Sequence, residues 1–330
     1  MAGKKTVWVG AHAAPGIHVL EWENGRWRIA AHGGPDRATF LTRGPDGTVL
    51  AGVETEEYNG VPGGAVAMCR LENGTVRVCA AAAELSRGIC HVAWNKTGRR
   101  IFAASYPEGS MDVLTWEKNG MLLKDRRLQG TGRGPKPEQA SAHAHCGLWD
   151  ESEKMLYICD LGADRIARYA GDALCGQEPF FMPAGSGPRH MLQSGDGTLL
   201  YVACELSNEV LTVQKRDGRI LQRIDCRPAA EGFCALSSIR FLPENHALVV
   251  GCRAQDGVWL LPVQADGRLG VPSFFASDSR WPWDVAPLED GLLVAAFSES
   301  GYVEAGRCID GRWQTVARIE IERPMGLLVL

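Results

Sequence analysis

The sequence predicts an all-β fold, a seven-bladed β-propeller with four antiparallel strands per blade, formed by residues 1–330 as a single domain. Three observations predict it. Short runs of alternating apolar residues are separated by turn residues about every 8 to 12 positions. Long amphipathic helical patterns are not evident. One hairpin phrase recurs along the chain, which is the signature of a repeat architecture.

The repeated phrase consists of a strand, a turn and a second strand. Its copies end at residues 45 to 54 positions apart, a period that accommodates the four short strands of one propeller blade. Two stacked sandwiches are disfavoured because they predict no regular period. The six copies are TFLTRGPDGTVLAGVE, CHVAWNKTGRRIFAASY, AHCGLWDESEKMLYICDL, RHMLQSGDGTLLYVACEL, SSIRFLPENHALVVGCR and WDVAPLEDGLLVAAFSE.

A more polar strand pair, such as GSMDVLTWEKNGMLLKDRRL, follows each phrase and completes its blade. The two chain ends are predicted to share a seventh blade. The N-terminal KTVWVGAHAAPGIHVLEWENGRWRIA supplies strands without a leading phrase, and the C-terminal MGLLVL supplies a lone strand. Joining the ends in one blade would close the ring and remove a free sheet edge.

Composition limits the classes of partner and the compartment. A net charge of -4 without a basic stripe argues against nucleic acid or an anionic membrane as partner. Eleven cysteines without a CxxC pair, several of them in apolar runs (Cys90, Cys159, Cys204 and Cys252), indicate reduced, buried thiols. The start MAGKKTVWVG lacks the apolar core of a signal peptide. We expect a soluble cytoplasmic protein, a monomer or weak homodimer.

Hairpin geometry predicts where a binding site forms. In an antiparallel hairpin the start of the first strand lies beside the end of the second, so residues at these two places are expected to converge on one mouth of the channel. A single charged residue at a strand end needs no special function, but five blades place polar groups there. These residues are Glu54, His91, Tyr106, His143, His145, Asp160, Arg189, His190, Glu205 and Arg253. For His91 and His190, lining the pocket and supporting it are equally good interpretations.

Two segments carry a resemblance to a known family. GSGPRHMLQSGDGTLLYVACELSNEVLTV (185–213) and SAHAHCGLWDESEKMLYICDLGADRI (141–166) resemble the most distinctive segments of the lactonase family of seven-bladed propellers. That family includes bacterial propeller-type 6-phosphogluconolactonases and fungal carboxy-cis,cis-muconate cyclases. The resemblance extends over nearly the whole chain, and it implies a catalytic cluster of His145, Arg189, Glu205 and Arg253 that needs no metal and no cofactor.

Several positions depart from the family pattern. Cys204 replaces the family's asparagine, Ala142 replaces a proline, and Ser105 precedes Tyr106 where the family has asparagine. In the sixth blade the family tends to carry proline and arginine, whereas this chain has Pro282 and Trp283. Trp283 is therefore predicted to border the substrate, and its indole leaves open whether the substrate carries a phosphate.

Lactone hydrolysis requires an activated water, a donor for the developing oxyanion and a proton for the departing alkoxide. We predict His145 as the general base and Arg189 as the oxyanion donor. Glu205 would orient Arg189 or hold a substrate hydroxyl, and Arg253 and Arg165 would grip a carboxylate or phosphate. For Arg165 an ordinary turn with an Asp164–Arg165 surface pairing is an equal alternative. No G-x-S-x-G elbow, P-loop or dinucleotide fingerprint is present, which favours direct attack by water.

Other functions remain open at this stage. On a strand, His143 and His145 would point to one side, where Asp160 or Glu205 could complete a metal site, although two arginines in the same mouth would repel a cation. The predicted cluster would also suit the cyclisation of a muconate-type diacid. A third possibility is a propeller that binds a ligand or protein without catalysis.

Overall fold

The computed structural model describes residues 4–95, 97–227 and 235–330. These residues form β-strands and three short 3-10 turns, at Pro45–Gly47, Pro137–Gln139 and Arg253–Gln255. No helix in the described part of the chain is long and apolar enough to cross a membrane. The first strands are β1 (Lys5–Ala11), β2 (Ile17–Glu23), β3 (Arg26–Gly33), β4 (Ala38–Arg43), β5 (Val49–Val53), β6 (Glu57–Tyr58), β7 (Val61–Pro62), β8 (Gly64–Glu72), β9 (Thr75–Leu85), β10 (Ile89–Asn95), β11 (Arg100–Ser105), β12 (Ser110–Trp116) and β13 (Leu122–Gln129).

The remaining strands continue the same pattern of short antiparallel segments. They are β14 (Ala144–Asp150), β15 (Met155–Asp160), β16 (Arg165–Ala170), β17 (Cys175–Phe181), β18 (Pro188–Gln193), β19 (Leu199–Cys204), β20 (Glu209–Gln214), β21 (Ile220–Asp225), β22 (Leu236–Leu242), β23 (Ala247–Cys252), β24 (Gly257–Pro262), β25 (Ser273–Ala276), β26 (Pro282–Glu289), β27 (Leu292–Phe297), β28 (Tyr302–Ile309), β29 (Arg312–Glu320) and β30 (Pro324–Val329).

The strands form four-stranded groups in chain order. Three are separate sheets, β10 to β13, β14 to β17 and β18 to β21. The groups β4-β5-β8-β9, β22 to β25 and β26 to β29 follow the same order, with short parallel pairings joining β3 to β9 and β25 to β29. Each of the six predicted phrases forms the first two strands of one group, as predicted. The small β6-β7 hairpin is inserted in the first group.

The two chain ends meet in one sheet. Its strand order begins β30-β1-β2-β3, and the Leu330 N–H donates to the Thr6 carbonyl at 2.9 Å. Closure of a ring by this sheet stays a prediction.

The chain divides into two compact units. One unit contains Met1–Val9, Leu20–Ile29 and Pro188–Leu330, and the other contains Gly10–Val19 and Ala30–Gly187. In each unit, apolar clusters form between neighbouring sheets. The second strand of a group is buried on both faces, as in β19, whereas the fourth is largely exposed, as in β13 and β17. This gradient explains why each phrase reads as apolar and the pair that follows it as polar.

Cysteines contribute mainly to these cores. All ten described cysteines are free thiols. Cys159, Cys204 and Cys252 are fully buried in second strands, as predicted, and Cys90 is half-buried. Cys234 lies outside the described residues.

Candidate active site

The first strand of each four-stranded group contains a β-bulge near its start, and the bulge changes the direction of one side chain. In β4, β10, β14, β18, β22 and β26 the pairing register shifts by one residue within the first few positions. Such a bulge bends the strand and re-aims a side chain. The extra residues are Thr39, Cys90, His145, Arg189, one of Ser237 and Ser238, and Trp283. Two predicted catalytic residues therefore occupy the same structural position in successive blades.

In the unit that contains residues 188–330, three predicted residues form one ionic group. Arg189 Nη1 lies 2.5 Å from Glu205 Oε2, and Arg253 Nη2 lies 2.7 Å from Glu205 Oε1. The side chains of Arg189 and Arg253 are only 5% and 6% exposed. We call these residues the Arg–Glu–Arg group. One carboxylate between two guanidinium groups leaves one net positive charge, which favours an anion or a developing oxyanion.

Two indoles cover this group. The ring centroid of Trp283 lies 5.4 Å from Arg189 Cζ and 4.9 Å from Arg253 Cζ, and that of Trp281 lies 5.7 Å from Arg253 Cζ. These are cation–π distances. Trp283 thus supports the arginines, in addition to any contact with substrate.

Arg253 is held on several sides. Its Nε donates to the Ala235 carbonyl at 3.1 Å. Burial, together with the charge of Arg189, lowers the pKa of Arg253 to about 10, and Glu205 opposes that shift. The guanidinium therefore remains protonated at neutral pH. The Nε of Arg189 is buried and makes no hydrogen bond within the described residues.

In the unit that contains residues 30–187, three predicted residues pack as an aromatic–histidine group, namely Tyr106, His143 and His145. The His143 ring stacks on Tyr106 with centroids 4.3 Å apart and planes 10° apart. His145 meets the same ring edge-on at 5.6 Å and 72°. His143 Nδ1 also lies 2.8 Å from the Tyr106 carbonyl oxygen. His145 is 6% exposed, so its imidazole has a fixed and largely dry surrounding.

Asp160 fixes the backbone that leads to His145. Its Oδ1 accepts the His143 N–H at 2.9 Å, and its Oδ2 accepts from Arg165 Nε at 3.1 Å. Burial raises the pKa of Asp160 despite these contacts. The neighbouring Gly162 is required for this packing, because a Cβ there would lie 1.8 Å from the Ser141 carbonyl oxygen. Asp160 and Arg165 thus hold the segment that leads into β14.

The alternative surface pairing of Asp164 with Arg165 is wrong. Asp164 is 7% exposed, and its carboxylate accepts the N–H groups of Gly185 and Gly187 at 2.7 and 2.8 Å. Arg165 instead pairs with Asp160 and donates to the Thr131 carbonyl. The carboxylate turns inward because the amides of the next strand entry would otherwise be buried without acceptors.

The alternation rule for a regular strand does not apply to His143 and His145. His143 precedes β14, and His145 is the bulge residue, so regular alternation does not govern their directions. Among the described residues, no three His, Cys, Asp or Glu side chains group as a metal site. Both carboxylates proposed to complete such a site are engaged by arginines, Asp160 by Arg165 and Glu205 by Arg189 and Arg253.

The other predicted residues have varied surroundings. His91 packs on the Phe40 ring at 4.1 Å and contacts Cys146 Sγ through Nε2 at 3.4 Å, which favours a supporting role. Glu54 accepts from Arg37 Nε through its backbone carbonyl at 2.6 Å. His190 is half-buried beside the Arg189 bulge and pairs with Ala203.

The sequence interpretation missed a recurring hydrogen-bond device, which we call the Asx latch. Asp164, Asn208 and Asp256 each lie four residues after the end of a second strand and have a φ of 48°, 59° and 49°. Their side chains accept the N–H of Gly187, Ala235 and Trp281, at 2.8, 3.0 and 2.8 Å, just before the next bulge. The signal was visible as CDLGAD, CELSN and CRAQD. Asn and Asp tolerate this left-handed conformation better than other non-glycine residues do.

Comparison with known proteins bears on the family and the fold. The family model described as Lactonase, 7-bladed beta-propeller matches residues 6–307. A Bacillus subtilis 6-phosphogluconolactonase is 24% identical over 279 residues, covering 80% of this chain and 78% of that protein. An uncharacterized Lactococcus lactis protein is 27% identical over 217 residues and 64% of this chain. That match spans 58% of the Lactococcus protein's length, and a match to a second Lactococcus lactis protein spans 54%.

Solved structures share the fold over the full chain. The periplasmic gluconolactonase of Pseudomonas aeruginosa superposes with a TM-score of 0.89 at 23% identity, covering 99% of each chain. A Lactobacillus plantarum protein superposes with a TM-score of 0.87 at 20% identity, covering 99% of this chain and 100% of that one. The predicted seven-bladed propeller fold is therefore confirmed.

Proposed function

Because the chain belongs to the lactonase family of seven-bladed β-propellers, we propose that it hydrolyses a sugar lactone, with 6-phosphogluconolactone as the first substrate to test. The observation that carries the proposal is the Arg–Glu–Arg group, a buried site with one net positive charge. The name of the Bacillus subtilis relative supports the phosphorylated substrate, and that of the Pseudomonas aeruginosa structure supports an unphosphorylated gluconolactone.

Arg189 stabilises the oxyanion in this proposal. Negative charge develops on the ring carbonyl oxygen when water attacks, and a fixed donor that strengthens there lowers the barrier. Glu205 anchors Arg189 through Nη1, so the donor is oriented before the substrate arrives. Loss of one such donor costs about 10²- to 10³-fold in rate.

Arg253 binds the anionic or hydroxyl-bearing part of the substrate. Its bond to Ala235 and its ion pair with Glu205 fix the plane of the guanidinium, which suits a carboxylate or phosphate. Glu205 is proposed to orient Arg189 or to hold a sugar hydroxyl, and its side chain is 17% exposed.

His145 is the general base that removes a proton from the attacking water and returns it to the departing alkoxide. An imidazole has an ordinary pKa near neutrality and serves both steps, and a positioned base contributes about 10²- to 10⁴-fold. The packing against Tyr106 restricts the ring, so its nitrogen has a defined direction. The proposed reaction needs no metal or cofactor. We also propose that the protein is cytoplasmic and that it is a monomer or weak homodimer.

The test is a side-by-side assay of 6-phosphogluconolactone and gluconolactone, with and without a chelator. We expect hydrolysis that the chelator does not affect. Arg189→Ala should reduce the rate at least a hundredfold, whereas Arg223→Ala removes an exposed arginine from a surface pair with Glu209 and should change it little. An unchanged rate in Arg189→Ala contradicts the mechanism. Loss of muconate absorbance without lactone hydrolysis would support the cyclase alternative.

A further inference from the structure

Trp281 has a backbone conformation that a bulky residue rarely adopts. Its φ is +64°, in the left-handed region, and it precedes Pro282, which further disfavours helical backbone at that position. Such a residue costs about 1 to 3 kcal/mol and persists only when its surroundings hold it. The residue two positions before the bulge also has a positive φ in four other blades, where it is Arg37, Gly88, Gly187 or Ala235. The left-handed backbone is therefore shared by several blades, and what distinguishes Trp281 is its indole.

Specific hydrogen bonds hold Trp281 in place. Its N–H donates to Asp256 Oδ1 at 2.8 Å, which is the Asx latch of this blade. Its carbonyl accepts the Ser298 N–H at 3.1 Å. Both groups lie within the unit that contains the Arg–Glu–Arg group.

Asp256 and Arg253 belong to one turn. Arg253 begins the 3-10 turn Arg253–Gln255, and the Asp256 N–H donates to the Arg253 carbonyl at 3.2 Å. The side chain of Asp256 then reaches the backbone of Trp281, and the indole of Trp281 returns over the Arg253 guanidinium. The turn, the latch and the indole form a closed loop of contacts around Arg253.

We propose that Asp256 and Trp281 are positioning residues for Arg253, with the Asx latch from Asp256 to Trp281 holding the indole on that guanidinium. The inference rests on the proposed function only for its kinetic consequence. Arg253 grips the substrate in the ground state and the transition state alike, so a misplaced Arg253 raises KM and leaves kcat nearly unchanged.

The central experiment compares Trp281→Gly with Arg323→Gly. Arg323 has the same left-handed conformation, with a φ of 47°, and also precedes a proline, but its side chain is exposed. Glycine relieves backbone strain at both positions, so Arg323→Gly should keep or raise Tm, and in Trp281→Gly this relief should offset part of the loss of the indole contacts. We expect KM for the lactone to rise about tenfold or more in Trp281→Gly, with kcat within about threefold, and no change in Arg323→Gly.

Conservative variants that keep the contacts with Arg253 should retain the KM of the parent. Asp256→Asn keeps the acceptor and the left-handed preference, as Asn208 does in the preceding blade, and Trp281→Phe keeps an aromatic face. Both should retain a KM within about threefold of the parent, whereas Asp256→Ala should match Trp281→Gly. A KM in Trp281→Gly equal to that of the parent overturns the inference.

A ligand-free readout separates this inference from the proposed function. Failure of the parent protein to turn over either lactone refutes the proposed function and not the positioning. The crystal structure of Trp281→Gly then decides the inference. A guanidinium displaced from Glu205 and the Ala235 carbonyl supports it, and an unmoved Arg253 refutes it.

Discussion

His145 and Arg189 occupy the same bulge position in successive blades, yet their surroundings differ in kind. Arg189 is fixed by charge, through an ion pair to Glu205 and an indole at cation–π distance. His145 is fixed in part by packing, through an edge contact with the Tyr106 ring. The two residues are similarly buried, since Arg189 is 4% exposed and His145 is 6% exposed. The same β-bulge therefore positions a histidine in one blade and an arginine in the next, and the residues around the bulge determine whether packing or charge fixes the side chain.

The neighbouring carboxylates differ in the same way. Glu205 lies between Arg189 and Arg253 and forms an ion pair with each. The carboxylate of Asp160 accepts hydrogen bonds from backbone N–H groups and from Arg165, and it therefore fixes a chain segment. Removing each carboxylate should therefore have a different consequence.

The largest expected effect is on the charged group. Glu205→Ala leaves two buried arginines without their shared counter-charge and should lower the free energy of unfolding by about 3 kcal/mol. Glu209→Ala is the matched control, because Glu209 forms an ion pair of 2.9 Å with Arg223, whose side chain is 54% exposed, and should cost less than about 1 kcal/mol. Urea denaturation measures both. Equal losses would mean that the two arginines relax into solvent, and the comparison would fail.

An intermediate effect is expected within the aromatic–histidine group. His145→Asn should lower kcat about a hundredfold, since it removes the proposed base. His143→Asn should change kcat less than about tenfold, because His143 Nδ1 is already engaged by the Tyr106 carbonyl. Steady-state kinetics with the better lactone distinguishes them. A larger loss in His143→Asn would transfer the role of base to His143.

The smallest effect concerns pH and Asp160. Burial raises the pKa of Asp160 above its ordinary value of 3.8, so the folded protein binds this proton more tightly than the unfolded chain does. The resulting stabilisation is complete below that ordinary value and is lost as pH rises through the raised pKa. The unfolding free energy of the parent relative to Asp160→Asn should therefore fall as the pH rises above about 4. A rise with increasing pH would mean that Arg165 outweighs burial.

Much of the site was predictable because it depends on local repetition. The phrases around His145 and Arg189 mark the strand ends, and antiparallel pairing brings Arg189 beside Glu205 whatever the rest of the chain does. The Asx latches also carry a local signal, in CDLGAD, CELSN and CRAQD. The role of Trp281 was not predictable, because nothing in its neighbours along the sequence indicates a left-handed backbone or a contact with Arg253.

The sequence by itself determined the repeat, the strand pairs and the residue types at the strand ends, since all of these follow from periodicity and turn chemistry within about 50 residues. Only the tertiary structure decided which polar groups satisfy one another. Asp164 turned inward to backbone N–H groups, and Glu205 came to bridge two arginines from different strands. The physical reason is that a buried charge takes the partners that packing brings to it, and these partners are distant in sequence.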